Sequence, residues 1–246
     1  MTTRIGIAGI TGRVGQLLAE EVPAAGLTLV GGASRAGTTL SSLAGKCDVV
    51  IDFTNAGLVA GHAAILAAAG VPWILGTSGL SPDDEAAVSA AAAQIPIVYA
   101  ANFAPGVNLV LALAERMAAA LPADTYDAEI VEMHHRQKVD APSGTALGLG
   151  RAVARGRGVD LATVMQSGRD GHTGPRPPGA IGFAALRGGQ VVGEHTLLFA
   201  AANEHIALTH RAFDRRAYAA GAVRAARWVA GRPAGLYDMM DVLGMR

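Results

Sequence analysis

The sequence predicts a two-part α/β chain: a parallel, Rossmann-like sheet followed by an α+β region with a mostly antiparallel sheet. Between residues 4 and 100, short apolar segments alternate with helical ones, which is typical of parallel sheets. After Phe103 this alternation stops, and strand-like segments follow one another from Ala180 to His210. We therefore expect a domain boundary close to Phe103.

Composition narrows the class of protein. The chain has 246 residues, 51% of them hydrophobic and 16% charged, and no net charge. These values are typical of a globular protein and argue against a nucleic-acid-binding surface, which is usually basic. The single cysteine, Cys47, excludes an intrachain disulfide and suits a reducing cytoplasm.

One stretch is as long and as free of charged residues as a membrane-spanning helix. Residues 55–82 contain no Asp, Glu, Lys or Arg. Gly70, Pro72 and the cluster at residues 76–79 divide the stretch into a helix, a strand and a loop. We therefore expect a buried helix-strand unit and no membrane partner.

The first strand is expected at Arg4–Ala8, and a helix at Arg13–Ala25. Between them Gly9, Gly12 and Gly15 form a glycine-rich turn. Strand, glycine turn and helix are the context of a dinucleotide-binding motif. The spacing is GxxGxxG and not GxGxxG, so a plain tight turn remains an alternative on this motif alone.

The second strand, Leu27–Ala33, ends where such a fold selects its coenzyme. A carboxylate there would bind the ribose hydroxyls of NADH. Here Ser34 and Arg35 follow the strand, and Arg13 adds a positive charge in the glycine turn. We predict that these residues bind the ribose phosphate of NADPH and that NADH is also accepted. The alternative is that both arginines are merely solvated.

The remaining elements of the first region repeat the alternation. Strands are expected at residues 48–53, 71–75 and 95–100, and a helix at residues 56–69. Ser81, Pro82 and Asp84 predict a capped helix start. The loop Gly76-Thr77-Ser78 follows a strand, where doubly wound sheets bind ligands. His62 lies in an apolar helix and is expected to pack.

The second region is expected to begin with a helix from Val107 to about Leu121. The pair Gly188-Gly189 predicts a hairpin between strands at residues 180–187 and 190–199. Another strand is expected at residues 204–210, and an amphipathic helix at residues 214–230. We interpret His195 and His210, in the predicted strands, as structural residues.

The densest group of reactive side chains lies in the segment EIVEMHHRQKVDAPSGTAL, residues 129–147. It holds His134, His135 and Lys138, one of only two lysines in the chain. A lysine, unlike arginine, can lose its proton when partly buried. Ser143 is a good helix cap, and the first turn behind it, with Gly144 and Thr145, can receive an anion such as a carboxylate.

Two other interpretations of this segment are weaker. A solvated loop with incidental histidines would not combine an amine, two imidazoles and an anion seat. A zinc site fails because no third spaced ligand follows, and His134 and His135 would point to opposite faces unless the predicted strand has already ended. We therefore expect no metal.

Several segments together resemble the 4-hydroxy-tetrahydrodipicolinate reductase family, also called dihydrodipicolinate reductases. The most specific is EMHHRQKVDAPSGTA; the others are the glycine turn, GTSG, AANFAPGVN, GRDGHTGPR, IGFAALRGG, VVGEHTLLF and GLYDMMDVL. The resemblance implies NAD(P)H-dependent reduction of 4-hydroxy-tetrahydrodipicolinate to tetrahydrodipicolinate, in diaminopimelate and lysine biosynthesis. It also implies a cytoplasmic homotetramer assembled through the second sheet.

The resemblance implies a domain for each ligand. Residues 1–104 and 214–246 would bind the dinucleotide, and residues 105–213 would bind substrate and form the oligomer. Coenzyme contacts would come from four loops: Gly9, Ile10, Thr11, Gly12, Arg13, Val14 and Gly15; Ser34 and Arg35; Gly76, Thr77 and Ser78; and Ala100, Ala101, Asn102 and Phe103.

The resemblance also implies roles in the central segment. His134 and Lys138 correspond to the family's acid–base pair, and which of them gives the proton stays open. His135, Gly144 and Thr145 correspond to substrate contacts, to which we add Ser143. Arg169 and His172 are weaker candidates for the same substrate.

Two rival functions fit the sequence less well. A short-chain dehydrogenase needs a lysine four residues after a tyrosine, and none of the four tyrosines has one. A redox-sensing, nucleotide-binding regulator would not need Lys138 and the anion-binding turn together, and it would show no sustained consumption of NADPH.

Overall fold

The computed structural model describes residues 2–245, which form two compact units. One unit holds the chain up to Pro105 together with the chain from Arg215 onward, and the other holds Gly106–Asp214. These limits lie within one residue or so of the expected domain boundaries. Each sheet lies wholly within one unit.

The first unit is built on a six-stranded sheet. Its strands are β1 (Arg4–Ala8), β2 (Thr28–Ala33), β3 (Val49–Asp52), β4 (Trp73–Leu75), β5 (Pro96–Tyr99) and β11 (Gly235–Tyr237). Its helices are α1 (Arg13–Ala24), α2 (Leu40–Ala44), α3 (Val59–Ala69), α4 (Pro82–Ala92), α8 (Arg216–Val229) and α9 (Met239–Leu243), with a 3-10 turn at Ala56–Leu58. The strand order is β11-β5-β4-β3-β1-β2, and every pairing is parallel. The predicted Rossmann-like sheet is confirmed.

Both faces of this sheet are buried, as parallel sheets require. Val49 and Ile51 enter the apolar cluster on one face, while Val50, between them, enters the cluster on the other. This alternation explains why DVVIDF reads as a continuous apolar run. The predicted capping box at Ser81 and Asp84 is also present at the start of α4.

The second unit contains a five-stranded sheet with helices on one face. Its strands are β6 (Asp127–His134), β7 (Met165–Ser167), β8 (Ile181–Arg187), β9 (Gly193–Ala200) and β10 (His205–Ala212). Its helices are α5 (Pro105–Ala120), α6 (Gly144–Gly156) and α7 (Leu161–Val164). Ile130, Phe183 and Leu197 of the sheet form one apolar core with Val110 of α5 and Leu149 of α6.

The predicted hairpin between β8 and β9 is wrong. The strand order is β10-β9-β6-β8-β7, so β6 lies between them. Strand β9 pairs antiparallel with β6 and β10, whereas β8 pairs parallel with β6 and β7. Gly188-Gly189 is a turn signal, but a turn can also send the chain over a neighbouring strand. β6, whose buried residues alternate with half-buried or exposed ones, provides that neighbour.

No helix within residues 2–245 is both long enough and apolar enough to cross a membrane. The uncharged stretch at residues 55–82 forms the 3-10 turn, α3, β4 and the loop before α4.

Candidate active site

The glycine turn of the first unit joins β1 to α1. Gly9 has a φ of +79°, which only glycine adopts without strain, and its N–H donates to Ala33 O at 3.0 Å. A Cβ on Gly15 would lie 2.1 Å from Gly9 O, so α1 can approach the turn only with glycine there. Gly12 is the N-cap of α1. This arrangement points the start of a helix at the space beyond the strand.

That space is a cavity of about 610 Å³ at the carboxyl ends of β1, β2 and β3. Five of the predicted coenzyme residues line it: Gly9, Thr11, Gly12, Ser34 and Arg35. No carboxylate follows β2, where Arg35 is exposed. A lining with a glycine turn, a helix start and a guanidinium can receive a dinucleotide.

His62 also lines this cavity, instead of packing in the core. Its Nδ1 lies 2.7 Å from Oδ2 of Asp52, which is completely buried. The other oxygen of Asp52 accepts from the N–H and the hydroxyl of Thr54 at 3.0 and 2.7 Å. The carboxylate thus holds both the loop after β3 and the imidazole ring.

Two further groups of predicted coenzyme residues follow β4 and β5 at the same edge of the sheet. Thr77 is 3% exposed, and its buried Oγ1 has no hydrogen-bond partner within the described chain. A buried hydroxyl of this kind fits a loop that receives a polar ligand. Phe103, by contrast, is buried in the apolar core, where its ring meets that of Phe53 edge to face with centroids 5.6 Å apart.

Ile10, Arg13 and Val14 complete the set predicted around the glycine turn. Ile10 and Val14 are partly buried against the core, whereas Arg13 is exposed in the first turn of α1. Gly76, Ser78, Ala100, Ala101 and Asn102 lie in the loops after β4 and β5. Their roles toward a coenzyme stay predictions.

In the second unit, the buried face of β6 is apolar in its first half and polar in its second half. Ala128, Ile130, Glu132 and His134 are the buried positions of the alternating pattern. Ala128 and Ile130 join the apolar core. Glu132 is 1% exposed, and His134 is 9% exposed. A strand that is apolar at its start therefore delivers a carboxylate and an imidazole to its buried end.

The neighbouring strands supply their partners. Pairing sets Glu132 opposite His195 of β9 and His134 opposite Arg187 of β8. Both guanidinium Nη atoms of Arg187 donate to Glu132, at 2.8 and 2.9 Å. The ring of His195 meets that of His134 edge to face, with centroids 5.0 Å apart. Three strands thus surround His134.

His134 contacts Glu132 directly, with Nδ1 and Oε2 2.5 Å apart. Burial lowers the pKa of His134 below the ordinary value, and the positive charges of Lys138 and Arg187 lower it further, while Glu132 partly opposes them. Burial also lowers the pKa of His195, to about 4, so this ring is neutral at physiological pH.

Lys138 lies in the turn after β6. Its Nζ donates to both carboxylate oxygens of Asp140, at 2.8 and 2.9 Å, and its N–H donates to His135 O. The Asp140 side chain is 57% exposed, so the pair meets solvent. His135 is half-buried, and its buried Nδ1 has no partner within the described residues.

Ser143 is the N-cap of α6, as predicted. Its Oγ accepts from Ala146 N at 3.2 Å and lies 2.9 Å from His195 Nε2, while its N–H donates to Glu132 Oε1 at 3.1 Å. The residue is 2% exposed, so these buried hydrogen bonds stabilise the turn before α6. Gly144 is exposed and Thr145 half-buried in the first turn of the helix.

The two weaker substrate candidates lie elsewhere. Arg169 pairs with Glu129, which points from β6 to the face opposite Glu132. His172 is exposed in the loop after β7. Neither belongs to the cluster around His134.

The sequence did not single out Glu132 or Arg187, and it placed His195 among the structural residues. One signal for Glu132 was available, since it precedes His134 by two residues in a strand and must share its face. Arg187 and His195 could be found only through the strand order, which the predicted hairpin gave incorrectly. Among residues 2–245, no group of three or more His, Cys, Asp or Glu could hold a metal ion.

Comparison with known proteins covers both units. A family model described as dihydrodipicolinate reductase, N-terminus, matches residues 3–103, and its C-terminus counterpart matches residues 106–243. A relative from Granulibacter bethesdensis named 4-hydroxy-tetrahydrodipicolinate reductase is 68% identical, over 99% of this chain and 97% of its own. A relative of the same name from Acidiphilium cryptum is 67% identical, over 98% of each chain.

A solved structure has the same fold. It is a dipicolinate-bound dihydrodipicolinate reductase from Paenisporosarcina sp. TG-14, with a TM-score of 0.78 over 98% of this chain and 99% of that one. The two sequences are 24% identical, so the likeness concerns the fold.

Proposed function

We propose a mechanism for this site from the premise that the chain belongs to the dihydrodipicolinate reductase family, whose models match nearly its whole length. The protein is an oxidoreductase with that family's 4-hydroxy-tetrahydrodipicolinate reductase activity, in the lysine and diaminopimelate pathway, and it uses a pyridine nucleotide. The roles of individual residues, the coenzyme preference and the assembly are proposals.

The reduction adds a hydride and a proton to neighbouring atoms of the substrate, and a bound NADPH or NADH supplies the hydride. The chain must therefore supply the proton. His134 and Lys138 are its candidate acid–base pair. One observation carries this assignment: the buried carboxylate of Glu132 contacts both the imidazole of His134 and the capped turn at Ser143, and the charge of Lys138 acts on the same imidazole.

The substrate is proposed to be a cyclic dicarboxylate. The solved relative that binds dipicolinate, a dicarboxylate, supports this class. One carboxylate would lie at the first turn of α6, at Gly144 and Thr145, because helix starts favour anions. His135 would hold the same ligand from the turn after β6, and Ser143 would contribute mainly by holding the turn, since it is 2% exposed.

The coenzyme is proposed to be NADPH, used at least as well as NADH. The cavity beyond β2 has Ser34 and Arg35 where a carboxylate would favour NADH. Gly9–Gly15 would hold the pyrophosphate, and the loops at Gly76–Ser78 and Ala100–Phe103 would complete the site.

We propose assembly as a homotetramer through the face of the second sheet opposite its helices. Val131 of β6 and Leu186 of β8 are 39% and 51% exposed on that face. Sedimentation velocity on the wild type and on Val131→Glu/Leu186→Glu tests it: the wild type should sediment as a tetramer and the double variant as a smaller species. A cytoplasmic location is part of the same proposal and rests on the resemblance and the single cysteine.

The experiment for the proposed chemistry is a coupled assay. Aspartate semialdehyde, pyruvate and the preceding synthase generate the substrate, and loss of NADPH or NADH absorbance is followed. Sustained loss that depends on the substrate is expected with both coenzymes. A protein that binds NADPH but turns over neither coenzyme would be a nucleotide sensor, and this result would overturn the proposal.

A further inference from the structure

The buried carboxylate of Glu132 contacts both the proposed proton donor, His134, and the proposed anion-binding turn at Ser143. Oε1 of Glu132 accepts from the Ser143 N–H at 3.1 Å and from Arg187 Nη2 at 2.8 Å. Oε2 accepts from Arg187 Nη1 at 2.9 Å and lies 2.5 Å from His134 Nδ1. The Glu132 side chain is only 1% exposed, so water does not compete for these contacts.

The protonation of Glu132 decides the tautomer of His134. Burial alone raises the pKa of Glu132, but the Arg187 guanidinium and His134 outweigh it and hold the pKa below its ordinary value. An ionised carboxylate only accepts hydrogen bonds. Nδ1 of His134 must therefore carry a hydrogen, and Nε2 is the nitrogen left to exchange a proton with a ligand.

We propose that Glu132 is a positioning residue: it fixes a proton on Nδ1 of His134, reserves Nε2 for proton transfer to the substrate, and anchors the Ser143 turn with its other oxygen. This inference rests on the proposed function, since it requires His134 to be the donor. In this arrangement, one side chain orients the acid and also positions the site that binds the substrate carboxylate.

The charged and titratable groups around His134 show why Glu132 is needed. Arg187 faces it from β8, His195 from β9, and Lys138 from the turn that follows β6. Arg187 and Lys138 disfavour the imidazolium, and His195 is neutral. Glu132 is the one of these four groups that favours the charged acid. Without it, the donor form of His134 would be populated only at lower pH.

A simpler role for Glu132 would be to neutralise Arg187 in the protein interior. Glu132→Gln separates the two roles. The amide oxygen can keep the Ser143 N–H, while the NH2 group donates to Nδ1 and prevents a proton there. The same variant leaves Arg187 without a counter-charge, so a loss of stability is expected under either role. The pH dependence of turnover reports whether Glu132 acts on His134, and the ¹⁵N spectrum of wild-type His134 reports which ring nitrogen carries the proton.

The experiment compares wild type, Glu132→Gln and Glu132→Asp. Turnover is measured against pH, with dissociation constants for NADPH and for pyridine-2,6-dicarboxylate as a substrate-like probe. In Glu132→Gln, turnover should fall roughly 10- to 1000-fold, and the pH above which turnover declines should move downward, because the acid must be protonated to act. Affinity for the dicarboxylate should stay within about threefold, and Glu132→Asp should recover part of the turnover and the shift.

The inference is overturned if Glu132→Gln keeps both the wild-type turnover and the wild-type pH midpoint. Loss of activity in His134→Gln would then still support the proposed function. Dicarboxylate affinity that does not depend on the Ser143 turn would count against the proposed function alone. If Glu132→Gln does not fold, ¹⁵N NMR of histidine-labelled wild type decides, with the His134 signals identified by their loss in His134→Gln. A proton on Nδ1 supports the proposal, and a neutral ring with its proton on Nε2 contradicts it.

Discussion

Nδ1 of His62 lies 2.7 Å from Oδ2 of Asp52, and Asp52 is completely buried beneath the cavity at the carboxyl ends of the first sheet. A buried carboxylate without partners is strongly unfavourable, so this pair is fixed. Nδ1 is thereby occupied, and Nε2 is the free nitrogen of the ring. Because His62 lines the same cavity as Arg35, we expect its ring to contact the adenosine half of a coenzyme.

Removing the His62 ring should weaken both coenzymes alike. Adenine and its ribose are common to NADPH and NADH, so a lost contact there does not discriminate. We expect His62→Asn, whose amide can still reach Asp52, to raise both dissociation constants several-fold, as for one hydrogen bond of about 1 kcal/mol. Fluorescence titration measures this, and unchanged constants for both coenzymes would mean that the ring only packs.

Removing Arg35 should instead discriminate between the coenzymes. The lost contact is with the extra phosphate, so Arg35→Ala should weaken NADPH several-fold and leave NADH nearly unchanged, the size expected for an exposed ion pair of about 1 kcal/mol. Lys46→Ala is the matched control, since it removes an exposed charge that does not line the cavity. Equal losses for both coenzymes in Arg35→Ala would exclude the phosphate seat.

His135 and Thr145 should act on substrate binding. We expect His135→Ala and Thr145→Val to raise the Michaelis constant for the substrate more than they lower turnover, as for groups that mainly hold the ground state. Steady-state kinetics with generated substrate measures both constants. A large fall in turnover at an unchanged Michaelis constant would assign these residues to the chemical step instead.

His195 should make the second unit less stable in acid. Burial lowers its pKa from 6.5 to about 4, so the unfolded chain takes up a proton before the folded one does. Stability from the neutral ring is therefore complete above about pH 6.5 and is lost as the pH falls toward 4.

Urea unfolding at several pH values tests this expectation. His195→Gln should have a shallower decline of unfolding free energy between pH 6.5 and 4, because the buried ring is gone. His172→Gln, which removes an exposed histidine of the same unit, should keep the wild-type decline. An identical decline in wild type and His195→Gln would contradict the assignment.

The first unit could be predicted from the sequence because its signals are local. Glycine spacing, apolar runs such as DVVIDF and the Ser81 capping box each depend on a few neighbouring residues. The central segment was equally informative: the strand ending at His134 and the cap at Ser143 both follow from local rules.

The environment of His134 could not be predicted in the same way. It depends on β6 lying between β8 and β9, which pairs residues 53 to 73 positions apart in the chain. The turn signal at Gly188-Gly189 favoured a hairpin, and a hairpin would have separated His195 from Glu132. His62 was misjudged for a related reason, because its apolar neighbours in the helix conceal its contact with Asp52.

The central claim is that His134 and Lys138 carry the proton transfer. The most direct test is the turnover of His134→Gln and Lys138→Ala, with the NADPH dissociation constant of each measured by fluorescence. The account predicts that turnover falls roughly a hundred- to ten-thousand-fold, the usual range for a positioned acid or base, while NADPH affinity stays close to wild type. Near-normal turnover in both variants would contradict it.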